Sequence, residues 1–143
     1  MTFFVDANVV VYSAVECDYR PGCLGVLEAI ATGTADGRTS ASVLEEVWHL
    51  ERSGKVGGLT GLPERALEIF SPLLPVTDAA FRRALAIDAP RLGTNDRLHA
   101  GTCIEHAIGV IVSADAGFDS SGLRRVDPGD LRGTRRLLQG RSG

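Results

Sequence analysis

The sequence predicts an α/β domain of three layers, with a central, mostly parallel sheet covered by helices on both faces. Three observations carry that expectation. Segments 3–5 (FFV) and 109–113 (GVIVS) have the length and composition of fully buried strands. Helix-length segments separate them, as βαβ units require. The chain of 143 residues, 44% apolar and 23% charged, is large enough for one packed core and small for two.

Taken in order, the strand at 3–5 runs into Asp6, and apolar residues resume at Val9, Val10 and Val11. Helical patterns follow at 21–31, 43–52, 63–70, 79–86 and 96–107. A candidate strand at 74–76 lies among them, the second strong strand is 109–113, and a weaker one spans 123–126. The stretch SGKVGGLTGLP reads as a loop between helices. There is no internal repeat, so residues 1–134 are expected to form a single domain, with 135–143 a flexible basic tail.

Composition excludes several classes. No segment approaches the ~20 consecutive apolar residues of a membrane span, and the N-terminus has neither the basic region nor the extended apolar region of a secretion signal. A cytoplasmic protein is expected. Cys17, Cys23 and Cys103 are odd in number and form no C-x-x-C pair, which argues against a disulfide framework or a zinc site. Net charge is −3, distributed unevenly: six arginines stand against two aspartates from Gly122 onward, so a basic end follows an acidic body. Such an end suits contact with a polyanion, and equally a solvated tail.

The acidic residues carry the chemistry. Ligands of open parallel sheets bind outside the carboxyl ends of the strands, where Asp6 and the pair Ser113 and Asp115 are expected. In SASVLEEVWHL, Ser42 as helix cap puts Glu45 at the capping-box position, while Glu46 lies about 40° from Leu50, on the edge of the Val43, Val47 and Leu50 stripe. Glu46 is therefore the inward carboxylate. In NDRLHAGTCIEHA, Asp96 begins a stripe of small residues continued by Ala100, Cys103 and Ala107, with Thr94 or Asn95 available as caps. Four carboxylates gathered in one place would repel one another and call for cations. An all-oxygen donor set suits Mg²⁺ or Mn²⁺. Asn8 would orient Asp6, and Ser113 would do the same for Asp115. A site of this kind activates water and neutralises the leaving oxygen of a phosphodiester.

In order and spacing, FFVDANVVVY, SASVLEEVWHL, TNDRLHAGTCIEHAIGVIVSADAGFD and LRRVDP resemble the PIN-domain ribonucleases, and the short chain looks like the VapC toxins of toxin–antitoxin pairs. The resemblance implies a three-layer α/β/α PIN-like domain and a Mg²⁺- or Mn²⁺-dependent endoribonuclease. It places Asp6, Glu46, Asp96 and Asp115 on the family's acidic quartet, with Asp6, Asp96 and Asp115 as metal ligands. It also implies a homodimer, a VapB-type antitoxin and an RNA substrate. One departure is visible: Gly117 stands before Phe118 where the family commonly has an acid, which leaves Asp119 as the candidate assisting residue.

Two other readings compete. A phosphotransfer domain of the haloacid dehalogenase or receiver type also places Asp after the first strand, but it needs a second Asp where Asn8 stands and a lysine near the site, and Lys55 lies in the glycine-rich loop. A PIN-like module that grips RNA or protein without cutting it would share the fold alone. His49, His99 and His106 read as surface or capping residues, and no nucleophile elbow is present. Arg97, Arg124 and Arg125 are the candidate phosphate contacts.

Overall fold

The computed structural model describes residues 1–140. Four strands, β1 (Thr2–Val5), β2 (Asp36–Arg38), β3 (Val110–Val112) and β4 (Arg124–Val126), form one sheet in the order β2-β1-β3-β4, and every pairing is parallel. Phe3, Phe4 and Val5 of β1 and Val110, Ile111 and Val112 of β3 are all buried. Consecutive side chains of a strand point to opposite faces, so both faces of the sheet are covered. The architecture is the expected α/β/α sandwich.

Seven helices supply the covering: α1 (Ala7–Ser13), α2 (Arg20–Ala31), α3 (Ala41–Ser53), α4 (Leu62–Phe70), α5 (Asp78–Ala86), α6 (Thr94–Glu105) and α7 (Leu131–Leu138). A short 3₁₀ helix occupies Ala116–Ser120. The core draws on Phe3, Phe4, Val9, Val26, Val43, Val47, Ile111 and Phe118, all buried. Gly101 lets α6 approach α5 closely, because a Cβ there would stand 2.5 Å from the Ala80 carbonyl oxygen. No described helix is long and apolar enough to cross a membrane.

Topology locates the site. The chain leaves β1 towards β2 on one side of the sheet, then returns through β3 to β4 on the other. The order therefore reverses between β1 and β3, and the crevice outside their carboxyl ends is where such sheets bind ligands. Val5 pairs with Val112, so Asp6 and Ser113 emerge side by side.

The structure departs from the sequence-based expectations at several elements. Helix α3 is capped by Ser40, not Ser42: the Ser40 side chain accepts from Val43 N at 3.4 Å, in extended backbone that carries an isolated bridge to Leu74. Glu45 consequently has no capping box and is exposed. Segment 74–76 contributes only that bridge rather than a strand. Residues 135–138 of the expected tail are helical, since α7 is capped by Asp130 and buries Thr134 and Leu137; 141–143 lie outside the described residues. Finally, the chain turns helical directly after Asp6, and the edge strand β2 (DGR), which has no apolar signature, was not anticipated.

Candidate metal centre

Asp6 is held before any ligand arrives. As the cap of α1 it accepts the Ala7 N–H at Oδ1, 2.8 Å away. Its Oδ2 accepts from the Ser113 hydroxyl at 2.7 Å and from the Asn8 amide at 3.1 Å. Asn8 reaches across the sheet as well: its amide donates to Ser113 Oγ at 3.1 Å, and its Oδ1 accepts the Ala114 N–H at the same distance. Ser113 thus serves Asp6 rather than the Asp115 carboxylate for which it was expected; from Asp115 it accepts only the backbone N–H, at 3.0 Å. Asp115 Oδ1 in turn accepts from Gly117 N and caps the 3₁₀ helix.

Asp6 is 3% exposed, and burial pushes its carboxyl above the ordinary range; His99 and the Ser113 hydrogen bond oppose that rise, and the Glu46 charge adds to it. Asp96, at the start of α6, is pushed up to about 7 by burial first, then by the Asp6 charge and by its interactions with Asp115. Burial disfavours the charged form of both carboxyls, and the nearby His99 offsets this only in part. The four expected acids, brought from β1, α3, α6 and the end of β3, therefore act on one another: Asp6 feels Glu46, and Asp96 feels Asp6 and Asp115. This donor set fits a hard divalent cation, because oxygen ligands are present in number and a cation would relieve the burial cost of their charged forms. A cleft of about 430 Å³ opens beside it, lined by Glu45, Glu46, His49, Leu50 and Asn95.

His99 departs from the expectation of a surface or capping residue. It is fully buried rather than superficial, and its Nε2 lies 2.7 Å from Glu46 Oε1. Burial of the ring lowers its pKa, but the Glu46 hydrogen bond and the charges of Asp6, Glu46 and Asp96 outweigh this and raise it. Donor atoms of Asp6, Glu46 and His99 lie within 4.8 Å of one another. A signal was present: His99 stands three positions after Asp96 and four before the buried Cys103, on the inward side of α6.

The arginines expected to meet phosphate are differently employed. Arg97 donates to the carbonyls of Leu92, Ile87 and Ala89 at 2.7–2.9 Å and so braces the loop before α6. Arg125 donates to the Ser113 carbonyl at 3.0 Å and pairs with Asp119 at 2.9 Å. That pairing holds the exposed Asp119 carboxyl below the usual range and occupies both its oxygens, so Asp119 is bound to Arg125 and not to the acidic cluster. Arg124 is exposed, with one long contact to Met1 Sδ.

A family model described as the PIN domain matches residues 3–122. The chain belongs to the PIN domain family. PIN domains are generally nucleases, so the class of chemistry is hydrolysis of nucleic acid, and the phosphotransfer reading falls. Two solved structures share the PIN fold. One is VapBC2 from Rickettsia felis bound to a promoter DNA fragment, with TM-score 0.66, 17% identity, and 88% of this chain and 98% of that chain covered. The other is FitAcB from Neisseria gonorrhoeae, with TM-score 0.64, 17% identity, and 90% and 99% covered. No curated protein matches the sequence.

Proposed function

We propose that this PIN domain is a Mg²⁺- or Mn²⁺-dependent endoribonuclease acting as the toxin of a toxin–antitoxin pair. The observation that carries the reading is geometric: Asp6, held by Ser113 and Asn8 at the carboxyl ends of β1 and β3, has its donor atoms within 4.8 Å of those of Glu46 and His99, and burial together with the Asp6 charge raises the Asp96 carboxyl beside it. Asp6, Asp96 and Asp115 would hold the metal, with Glu46 completing the acidic set. A divalent cation held by these residues would supply water of lowered pKa and charge stabilisation for phosphodiester hydrolysis. Ser113 and Asn8 fix the Asp6 carboxylate so that its orientation does not have to be found on binding. The crevice at the strand ends is open on the side of Asp115, which is exposed, and a single strand of RNA would enter there.

A partner has a place on the same fold. Val10, Leu24, Leu27, Ala66, Ile69 and Phe70 from α1, α2 and α4 line a cavity of about 380 Å³, suited to the apolar face of an antitoxin helix. Exposed Phe81 and Leu85 on α5 would be covered in a homodimer. The decisive experiment compares wild type with Asp96→Asn on RNA in Mg²⁺. Cleavage is expected to fall by about 10²-fold or more, with RNA binding retained. An Asp96→Asn protein that cuts at the wild-type rate would remove that residue from the site. A wild type that binds RNA and never cuts it, with Mg²⁺ or Mn²⁺ supplied, would instead favour a non-catalytic binding module.

A further inference from the structure

His99 holds no metal in the proposed site, yet its ring sits beside Asp6 and Glu46. Its side chain is completely buried, packed against the Phe4 ring of β1 at a centroid distance of 5.9 Å. Nε2 meets Glu46 Oε1 at 2.7 Å, the short end of the range for a nitrogen donating to a carboxylate. Glu46 Oε2 accepts no hydrogen bond among the described residues. The other ring nitrogen, Nδ1, is buried without any hydrogen-bond partner.

Those facts decide between two roles. Three donor atoms within 4.8 Å, from Asp6, Glu46 and His99, would by spacing alone suggest a mixed nitrogen and oxygen metal site. A metal-ligating imidazole, however, carries its proton on the far nitrogen and passes it to an acceptor. Here the far nitrogen would be Nδ1, and nothing accepts from it. Ligation through Nε2 would also strip Glu46 Oε1 of its donor, leaving two polar groups unpaired at the site. With the proton on Nε2, the ring instead satisfies Oε1. The bond joins α3, which carries Glu46, to α6, which carries Asp96 one turn before His99.

We propose that His99 is the positioning residue for Glu46: its Nε2–H holds Oε1 and leaves Oε2 to face a divalent cation, while the ring itself stays outside the coordination shell. The inference rests on the metal-centre reading above. Glu46 reaches the site on a long side chain with three free torsions and is partly exposed, so without this tether it would sample many rotamers in water. A leucine at position 99 would keep the packing against Phe4 and lose the donor. A glutamine would return an N–H close to where Nε2 stands.

The test is Mn²⁺ binding to the metal-free full chain, followed by calorimetry, for wild type, His99→Leu and His99→Gln. Circular dichroism and thermal unfolding check the fold of each variant. His99→Leu is expected to bind Mn²⁺ about 10–100-fold more weakly, the usual effect of losing a group that orients a ligand, and His99→Gln to recover most of the loss. Pulsed electron paramagnetic resonance of Mn²⁺ bound to wild type needs no variant, and is expected to show no strong ¹⁴N coupling from a directly bound imidazole. Strong coupling of that kind would overturn the proposal, and so would His99→Leu binding as tightly as wild type or His99→Gln recovering nothing. A folded wild type that binds no Mn²⁺ at any concentration would fail earlier, at the metal centre itself.

Discussion

At the scale of single residues, Asp96 and Asp6 set the response to pH. Both carboxyls are raised above the values they have in an unfolded chain, Asp96 to about 7. The folded protein therefore binds protons more tightly than the unfolded one between about pH 4 and pH 7. In the metal-free state this makes stability fall as pH rises through that window, the reverse of the usual salt-bridged aspartate. The melting temperature of metal-free protein is expected to drop from pH 5 to pH 7.5, with Asp96→Asn flattening the slope. A metal-free melting temperature that rises with pH, and does so equally in both proteins, would contradict the electrostatic account. On the proposed metal centre a divalent cation would supply positive charge, so saturating Mn²⁺ at pH 7.5 is expected to raise the melting temperature, by the equivalent of about 2.7 kcal/mol at one hundred times the dissociation constant. In scanning calorimetry, Asp96→Asn should respond far less.

Among the elements, the contacts of α6 and α3 fix the distance between the acids. Gly101 sits where α6 crosses α5, with the Ala80 oxygen and Ala84 nitrogen at 2.5 and 2.7 Å from the position of a Cβ. Gly101→Ala is expected to cost about 1–3 kcal/mol in urea unfolding, because backbone and not a flexible side chain must give way. Ser40→Ala removes the cap of α3 and should cost about 1 kcal/mol; a full-strength effect at Ser42→Ala instead would restore the cap first inferred from sequence. The elements legible beforehand are those whose signal is local. β1, β3 and helices α2 to α6 announce themselves by apolar runs and periodicity. β2 does not, because its three residues DGR pair only through backbone at the edge of the sheet. The helix α7 was hidden by its arginines, although Leu137 and Leu138 mark an inward side. In the site, Asp6 and Asn8 were legible from a strand ending in polar residues. The link from His99 to Glu46 was not, since it joins positions 53 residues apart and no spacing along one helix encodes it.

For the whole molecule, the question is how a chain of net charge −3 takes hold of a polyanion. Arg97 and Arg125 are engaged in holding loops and strand ends, so attraction must come from other cations. Arg132, Arg135 and Arg136 stand on or beside the exposed side of α7, with the exposed Arg124 at β4. Reversing Arg132, Arg135 and Arg136 to glutamate is expected to weaken RNA binding and lower its dependence on salt, as measured by fluorescence anisotropy at two ionic strengths. An unchanged salt slope would place the contact surface elsewhere, on the face that carries Asp115. The order of the sheet could be inferred from sequence only as far as parallel strands between helices; the reversal between β1 and β3, which makes the crevice, depends on long-range pairing that no local segment specifies.

Asp6 both starts the first helix and takes the hydrogen bonds of Ser113 and Asn8 at the centre of the acidic cluster. Deleting it would loosen the scaffold together with the proposed metal site, whereas the partly exposed Asp96 caps no element and its loss is expected to leave the architecture intact. In relatives that have lost the proposed activity, the acid at position 6 is expected to persist where the one at position 96 is shed first.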